Sequence, residues 1–227
     1  MNRDIKKIAI VRLTALGDII NSAVVLQFIS EKYANAEIEW ITEEVFAPLL
    51  ENHPLINRVH SINLKRLKKE RSFSGLKRTI KELKSLGEFD IIIDMQGLLK
   101  SAVVARLIGK NTHGFDKNSS REGISSLLYK TTTAIDYTEN IIKRNCFVVS
   151  DGLDFEISRD MILNKKAIFT FEKKANKSQE QKTIAMVIGA SWNSKIYPKE
   201  RVAELCNTLK QNSILIWGSE KEREDAL

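Results

Sequence analysis

Proline and glycine are scarce, three and ten in 227 residues, which excludes collagen-like chains and Pro/Gly-rich disordered ones. Low-complexity tracts and internal repeats are also missing, so a solenoid or an array is not expected. The two cysteines, Cys146 and Cys206, stand sixty positions apart and form no C-x-x-C pair. A disulfide scaffold is thereby excluded, and two reduced thiols of a cytoplasmic protein are expected. Three scattered histidines, His53, His60 and His113, offer no metal-ligand spacing, and no zinc site is expected. The longest apolar run falls far short of the ~20 residues of a membrane span. Residues 1–7 are charged, but the apolar stretch at 8–13 is too short for a signal core and is broken by Arg12. These absences point to a cytoplasmic protein, soluble or peripheral on a membrane.

What is present supports a folded chain. Hydrophobic residues make up 43%, enough for a real core. The net charge of +7 is concentrated: residues 64–87 hold nine basic side chains against Glu70 and Glu82, and the rest of the chain balances to zero. A patch of that kind suits a polyanion, whether nucleic acid, an anionic membrane or a phosphorylated or carboxylated substrate.

Residues 5–13 are expected to form a strand in which Ile8, Ala9, Ile10, Val11 and Leu13 make a nearly continuous apolar run, the pattern of a strand buried on both faces. Apolar residues then fall at helical spacing over 19–33. Further strands are expected at 37–42, 58–64, 89–94 and 112–115, and helices at 45–52, 73–86, 97–108, 124–129 and 139–149. This alternation predicts a doubly wound parallel α/β sheet with right-handed crossovers. The polar stretch 175–182 is a linker candidate. Beyond it the pattern restarts with strands at 183–188 and 213–217 and helices at 198–211 and 220–227. Two domains are expected, 1–174 and 183–227. The second is shorter than the ~100 residues a compact α/β domain usually needs, so a truncated start of a domain is expected there.

Three turns carry residues suited to chemistry. In open α/β sheets ligands bind beyond the carboxyl ends of the strands, beside helix N-termini. Gly17 there lets backbone approach a ligand, and Asp18 is the first ionisable group; a helix N-cap explains Asp18 equally well. Asp94, Gln96 and Lys100 follow the next buried strand and would line the same crevice, unless Asp94 caps a helix and Lys100 is a solvated helix charge. Lys195 lies in a loop with small neighbours that leave room for a diphosphate, although a solvated loop lysine reads the same way. No G-x-G-x-x-G is present, and a dinucleotide cofactor is not expected.

The string Ile10-Val11-Arg12-Leu13-Thr14-Ala15-Leu16-Gly17-Asp18-Ile19-Ile20 resembles the N-terminus of the lipopolysaccharide heptosyltransferases of glycosyltransferase family 9. Asp94-Met95-Gln96-Gly97-Leu98-Leu99-Lys100-Ser101 is similar to a strand–helix junction of that family. His113-Gly114-Phe115-Asp116 and Ser120-Arg121-Glu122 resemble its next two loops, residues 191–198 its donor loop, and Trp217-Gly218 with Glu222 its following strand end. The matches run in order along almost the whole chain.

This resemblance implies the GT-B architecture: two Rossmann-like domains facing a cleft, the first for acceptor and the second for sugar nucleotide. It implies inverting transfer of L-glycero-D-manno-heptose from ADP-heptose to a Kdo sugar on lipid A, without a metal or other cofactor. Asp18 matches the general base. Lys195 matches the lysine on the donor diphosphate, helped by the N–H groups of Ser191 and Trp192, and Glu222 matches the carboxylate near the donor ribose. Gly17, Lys65, Arg66, Lys68, Lys69, Asp94, Gln96, Lys100 and Arg121 are the expected acceptor contacts. The basic segment then has a polyanion to meet and suits the anionic inner face of the inner membrane. A monomer is expected.

Two departures stand out. The donor loop is one residue shorter than the family pattern, so Trp192 and Asn193 replace a hydroxyl and a charged residue. The family's later Asp-Thr-Gly-x-x-His donor motif is not found up to Leu227, so the chain alone is expected to bind donor poorly and not to turn over. The alternatives are a family member acting on an already heptosylated core and a non-catalytic polyanion-binding module. For a nucleic-acid module stacking residues are short, since Phe73 is the only aromatic between 64 and 87.

Overall fold

A computed structural model describes residues 4–70, 73–170, 183–190 and 192–227, without the side chains of Lys65, Lys68 and Glu70. The linker expected at 175–182 lies outside the described residues. The chain divides into two compact units after Thr170.

The first unit runs β1 (Lys7–Val11), α1 (Leu16–Ala23), α2 (Val25–Lys32), β2 (Glu37–Glu43), α3 (Ala47–Leu50), β3 (Arg58–Ile62), α4 (Leu64–Glu70) and α5 (Phe73–Lys84). It continues with β4 (Ile91–Asp94), α6 (Leu99–Ile108), β5 (Thr112–Phe115), β6 (Thr131–Thr133), α7 (Ile141–Leu153) and α8 (Arg159–Leu163). Its six strands are all parallel, in the order β3-β2-β1-β4-β5-β6. The order reverses direction between β1 and β4, so their carboxyl ends open a crevice at the switch point.

Alternate residues of β1 face opposite layers, as the period of a strand requires. Ile8 and Ile10 pack with α1, α2 and α7 through Ile19, Leu26, Ile29 and Val148, beside Trp40 of β2. Ala9 and Val11 pack with α5 and α6 through Leu83, Val104, Ala105 and Ile108. Both faces of the central strands are therefore covered, and the continuous apolar runs of β1 and β4 follow from that. Cys146 and Cys206 are free thiols, and burial pushes the Cys146 thiol up to about 12.

Several elements differ from the sequence pattern. The helix expected over 97–108 starts only at Leu99, because Gly97 has φ +66°, a left-handed turn that favours glycine. The helix expected at 124–129 is a 3-10 helix, Gly123–Leu128. Strand β6 was not expected; three threonines form too short a stretch to show a period of two.

Gly114 on β5 leaves room for Tyr129: a Cβ there would lie 2.5 Å from the tyrosine ring. Gly114→Ala is expected to cost about 1–3 kcal/mol as the overpacked ring is displaced, read as a lower urea midpoint. Next to it His113 is buried between Thr131 and Thr133, its Nδ1 and Nε2 at 2.9 and 2.7 Å from their hydroxyls. Burial lowers its pKa, against the pull of Asp151. The folded protein thus takes up this proton at lower pH than the unfolded chain. Stability from neutral His113 is complete above the unfolded value of about 6.5 and is lost as pH falls below it. The urea midpoint is expected to drop between pH 7.5 and 5.5, and His113→Gln to flatten that slope.

The second unit contains β7 (Thr183–Val187), α9 (Lys199–Leu209), β8 (Asn212–Ile216) and α10 (Glu220–Ala226), with β7 and β8 paired in parallel. Among the described residues no helix is long and apolar enough to cross a membrane.

Candidate active site

The turn after β1 places Asp18 in the first turn of α1, not at its N-cap, which is Ala15. Its side chain is 48% exposed. Arg12, the first residue after β1, is buried and sets the carboxylate: its Nη2 lies 3.2 Å from Asp18 Oδ2, and its Nη1 donates to the Met95 carbonyl. The Ala15 N–H also reaches Oδ2, at 3.4 Å. Burial lowers the Arg12 pKa, and the nearby Asp18 and Asp94 carboxylates counter it. A cation is therefore built into the floor of the crevice, tying the end of β1 to the end of β4.

Gln96 completes the junction. Its Oε1 accepts from the Leu13 N–H at 2.8 Å and its Nε2 donates to Thr14 Oγ1 at 3.1 Å, where Lys100 Nζ also arrives at 3.5 Å. Asp18, Gln96 and Arg121 line one cavity of about 290 Å³, with Thr14, Tyr137 and Arg144. Lys100 joins it through Thr14. The carboxyl ends of three adjacent parallel strands, β1, β4 and β5, thus bring positions 18, 96, 100 and 121 together. Gly17 has nothing within 4 Å of where a Cβ would stand; the space beside it is open to a ligand.

Asp94 corrects its expected place. It has no exposed surface and lies under the cavity, accepting from the Gln96 N–H at 2.8 Å and from the Tyr129 hydroxyl at 2.7 Å. Burial raises its pKa, against the hydrogen bonds of Ser101, Tyr129 and the loop amides. Without accessible surface it holds the loop carrying Gln96 and is not among the residues lining the cavity. Tyr129 is shifted upward by burial and by the Asp94 charge.

Arg66 and Lys69 are exposed on α4, and Arg66 lines a separate surface cavity with Asn63, Arg78 and Glu82. They follow β3, at the same end of the sheet as Asp18 but two strands away, roughly 10 Å at the usual strand spacing. Of the other expected contacts there, the side chains of Lys65 and Lys68 lie outside the described ones. The sequence reading missed Arg12, Thr14, Tyr137 and Arg144 as site residues. Arg12 alone left a signal: a charge within the apolar stretch at 8–13.

In the second unit Ser191 lies outside the described residues. Trp192 and Lys195 are exposed, Lys195 ending the short 3-10 helix Asn193–Lys195. Glu222 lines a cavity of about 730 Å³. Its carboxylate accepts from the Gly218 N–H at 2.7 Å and the Ser219 N–H at 3.2 Å, capping α10. It also presses on Gly189, where a Cβ would come within 2.2 Å of it. Among the described residues no group of three or more His, Cys, Asp or Glu could hold a metal.

The model of glycosyltransferase family 9 (heptosyltransferase) matches residues 76–227. The chain belongs to this family. As a family 9 member it is a glycosyltransferase, with the α/β fold of GT-B heptosyltransferases. It is 36% identical to lipopolysaccharide heptosyltransferase 1 of Campylobacter coli over 97% of this chain and 67% of that protein. With the enzyme of the same name from Pseudomonas aeruginosa it shares 26% identity over 97% of this chain and 63% of that one. The fold resembles Escherichia coli heptosyltransferase WaaC solved with ADP, with TM-score 0.78 and 22% identity, covering 97% of this chain and 70% of that one. The chain thus spans about two thirds of the length of these family 9 relatives.

Proposed function

We propose that this family 9 protein transfers L-glycero-D-manno-heptose from ADP-heptose to the Kdo of Kdo-lipid A, with inversion, as a heptosyltransferase I. The observation that carries the reading is the Asp18 carboxylate, half exposed in a cationic crevice at the switch point of the sheet. It is supported by similarity, over nearly the whole chain, to proteins named lipopolysaccharide heptosyltransferase 1, and by the likeness to WaaC solved with ADP-2-deoxy-2-fluoro heptose.

In this reading the first domain (1–174) binds the acceptor and the second (183–227) begins the donor site. Asp18 takes the proton of the acceptor hydroxyl as its oxygen bonds to the anomeric carbon of heptose. The bond from that carbon to ADP breaks, and its electron pair leaves on the diphosphate, which Lys195 neutralises with the N–H groups of Ser191 and Trp192. Gly17, Gln96, Lys100 and Arg121 hold the acceptor sugar. Lys65, Arg66, Lys68 and Lys69 meet lipid A phosphates at the anionic inner face of the membrane. Glu222 binds the donor ribose. The protein acts as a monomer in the cytoplasm.

The test incubates the complete enzyme with ADP-heptose and either Kdo-lipid A or the heptosylated core, with mass spectrometry of the products. One heptose added to Kdo-lipid A is expected. A product from the heptosylated core alone reassigns the protein to heptosyltransferase II or III, and no product from either overturns the proposal.

A further inference from the structure

One side of the first unit's sheet is covered by α5, α6 and the 3-10 helix Gly123–Leu128, which lead from β3 to β4, from β4 to β5 and from β5 to β6. α6 turns Val104, Ala105 and Ile108 inward and packs against both α5 and the 3-10 helix. The outer side of such a layer is normally polar. Here it is aliphatic. Leu99 and Val103, one turn apart on α6, are each 42% exposed. On the 3-10 helix Ser125 is buried, while Ile124 and Leu127 are 60% and 81% exposed, and three residues per turn stack that pair on one face. Exposed aliphatics scattered singly are ordinary, but two neighbouring elements that each present a pair make a patch.

The charges around the patch are mostly of one sign. α6 carries Lys100 and Arg106 and no acidic residue. Lys110 follows α6 and Lys130 follows the 3-10 helix, both exposed. The partners of Arg106 and Lys130 are neutral: the Gly109 carbonyl at 3.4 Å and Asn111 Oδ1 at 3.1 Å. The carboxylate of Glu122 is held by the Leu99 N–H at 2.7 Å. On the flank α5 adds Lys77, Lys81 and Lys84, and its one acid, Glu82, faces Arg78.

We propose that this face docks on an anionic lipid bilayer, with Leu99, Val103, Ile124 and Leu127 entering the boundary between headgroups and acyl chains and Arg106, Lys110 and Lys130 meeting lipid phosphates. A bilayer takes both parts of the surface, since apolar burial and attraction to anionic lipid add. A second copy of the chain would set like charges opposite one another, and nucleic acid would find no aromatic ring among the four aliphatics to stack on. The proposal rests on the acceptor reading above for its purpose, and adds an apolar surface on α6 and the 3-10 helix to the cationic segment of that reading. The Leu99 end of the patch adjoins the Asp18 cavity, because Lys100 reaches Thr14 and Arg121 lines that cavity. Docking therefore holds the crevice at the level of the headgroups, where the sugar of a glycolipid stands.

The complete enzyme is sedimented with vesicles of phosphatidylethanolamine and phosphatidylglycerol that contain no Kdo-lipid, and with phosphatidylcholine vesicles. Binding is expected on the anionic vesicles and little on the neutral ones. The double variant Ile124→Glu with Leu127→Glu is expected to lower the partition constant at least about 30-fold, and Arg106→Gln with Lys130→Gln about tenfold. Melting temperature and transfer to a deacylated, soluble Kdo acceptor should stay unaltered in the Glu variant. In about 0.5 M salt, where charge attraction is largely screened, the unaltered enzyme is expected to keep at least about a tenth of its partition constant. Complete release in salt overturns the proposal, and that arm needs no variant to fold. Undiminished binding by the Glu variant overturns it too, as does a dimer that Leu127→Glu dissociates, which would give the face to a second copy. Absence of transfer to the soluble acceptor by the unaltered enzyme overturns the acceptor reading, whatever the vesicles show.

Discussion

Asp18→Asn in the complete enzyme is expected to lower single-turnover heptose transfer by about 10²- to 10⁴-fold, the range for loss of a general base. The substitution is nearly isosteric. The amide oxygen can still accept from Arg12 and from the Ala15 N–H, the two donors now on Oδ2. The turn after β1 should therefore keep its shape, and the loss reports proton transfer alone. The buried Arg12 would lose its closest counter-charge, so a modest fall in the melting temperature is expected as well. Affinity for ADP-heptose should not change. A loss under tenfold with donor affinity intact removes Asp18 from the proton-transfer role.

Lys195→Met is expected to have the second largest effect, about 10²- to 10³-fold in turnover, as for loss of a group stabilising developing negative charge. The structure makes this change clean. Lys195 is exposed, and its one hydrogen bond among the described residues runs from its backbone N–H to the Trp192 carbonyl at 2.9 Å. No ion pair within the described residues occupies its ammonium group, and removing it should leave the melting temperature unaltered. Weaker binding of ADP, measured by calorimetry, should accompany the slower transfer, with KM for acceptor unchanged. Unaltered ADP affinity together with a rate loss below threefold would show a solvated loop lysine.

Much of the first unit was legible in the residues. Strands buried on both faces have to be apolar throughout, so β1 and β4 announce a parallel sheet covered by helices, and the turns that follow them are where such sheets bind ligands. The Gly17-Asp18 and Gln96–Lys100 turns were found in that way. Local reading does not reach a residue's surroundings where they depend on what packs over it. Asp94 has the position of a ligand contact, but Tyr129, arriving from beyond β5, covers it. Glu222, expected from the resemblance to meet the donor ribose, caps its own helix and packs on the backbone of Gly189, contacts that its place in the sequence does not record.

The order of hydrophobic and polar residues by itself determined the fold class, because burial imposes its period on every strand and helix. Only the tertiary structure decided the electrostatics of the cavity. It set β1 against β4, so that Arg12 spans from Asp18 to the Met95 carbonyl, and it brought Arg144 from α7 to the same wall. Charge interactions act through space between residues about a hundred positions apart in sequence, and no local pattern records which of them the sheet order will bring together.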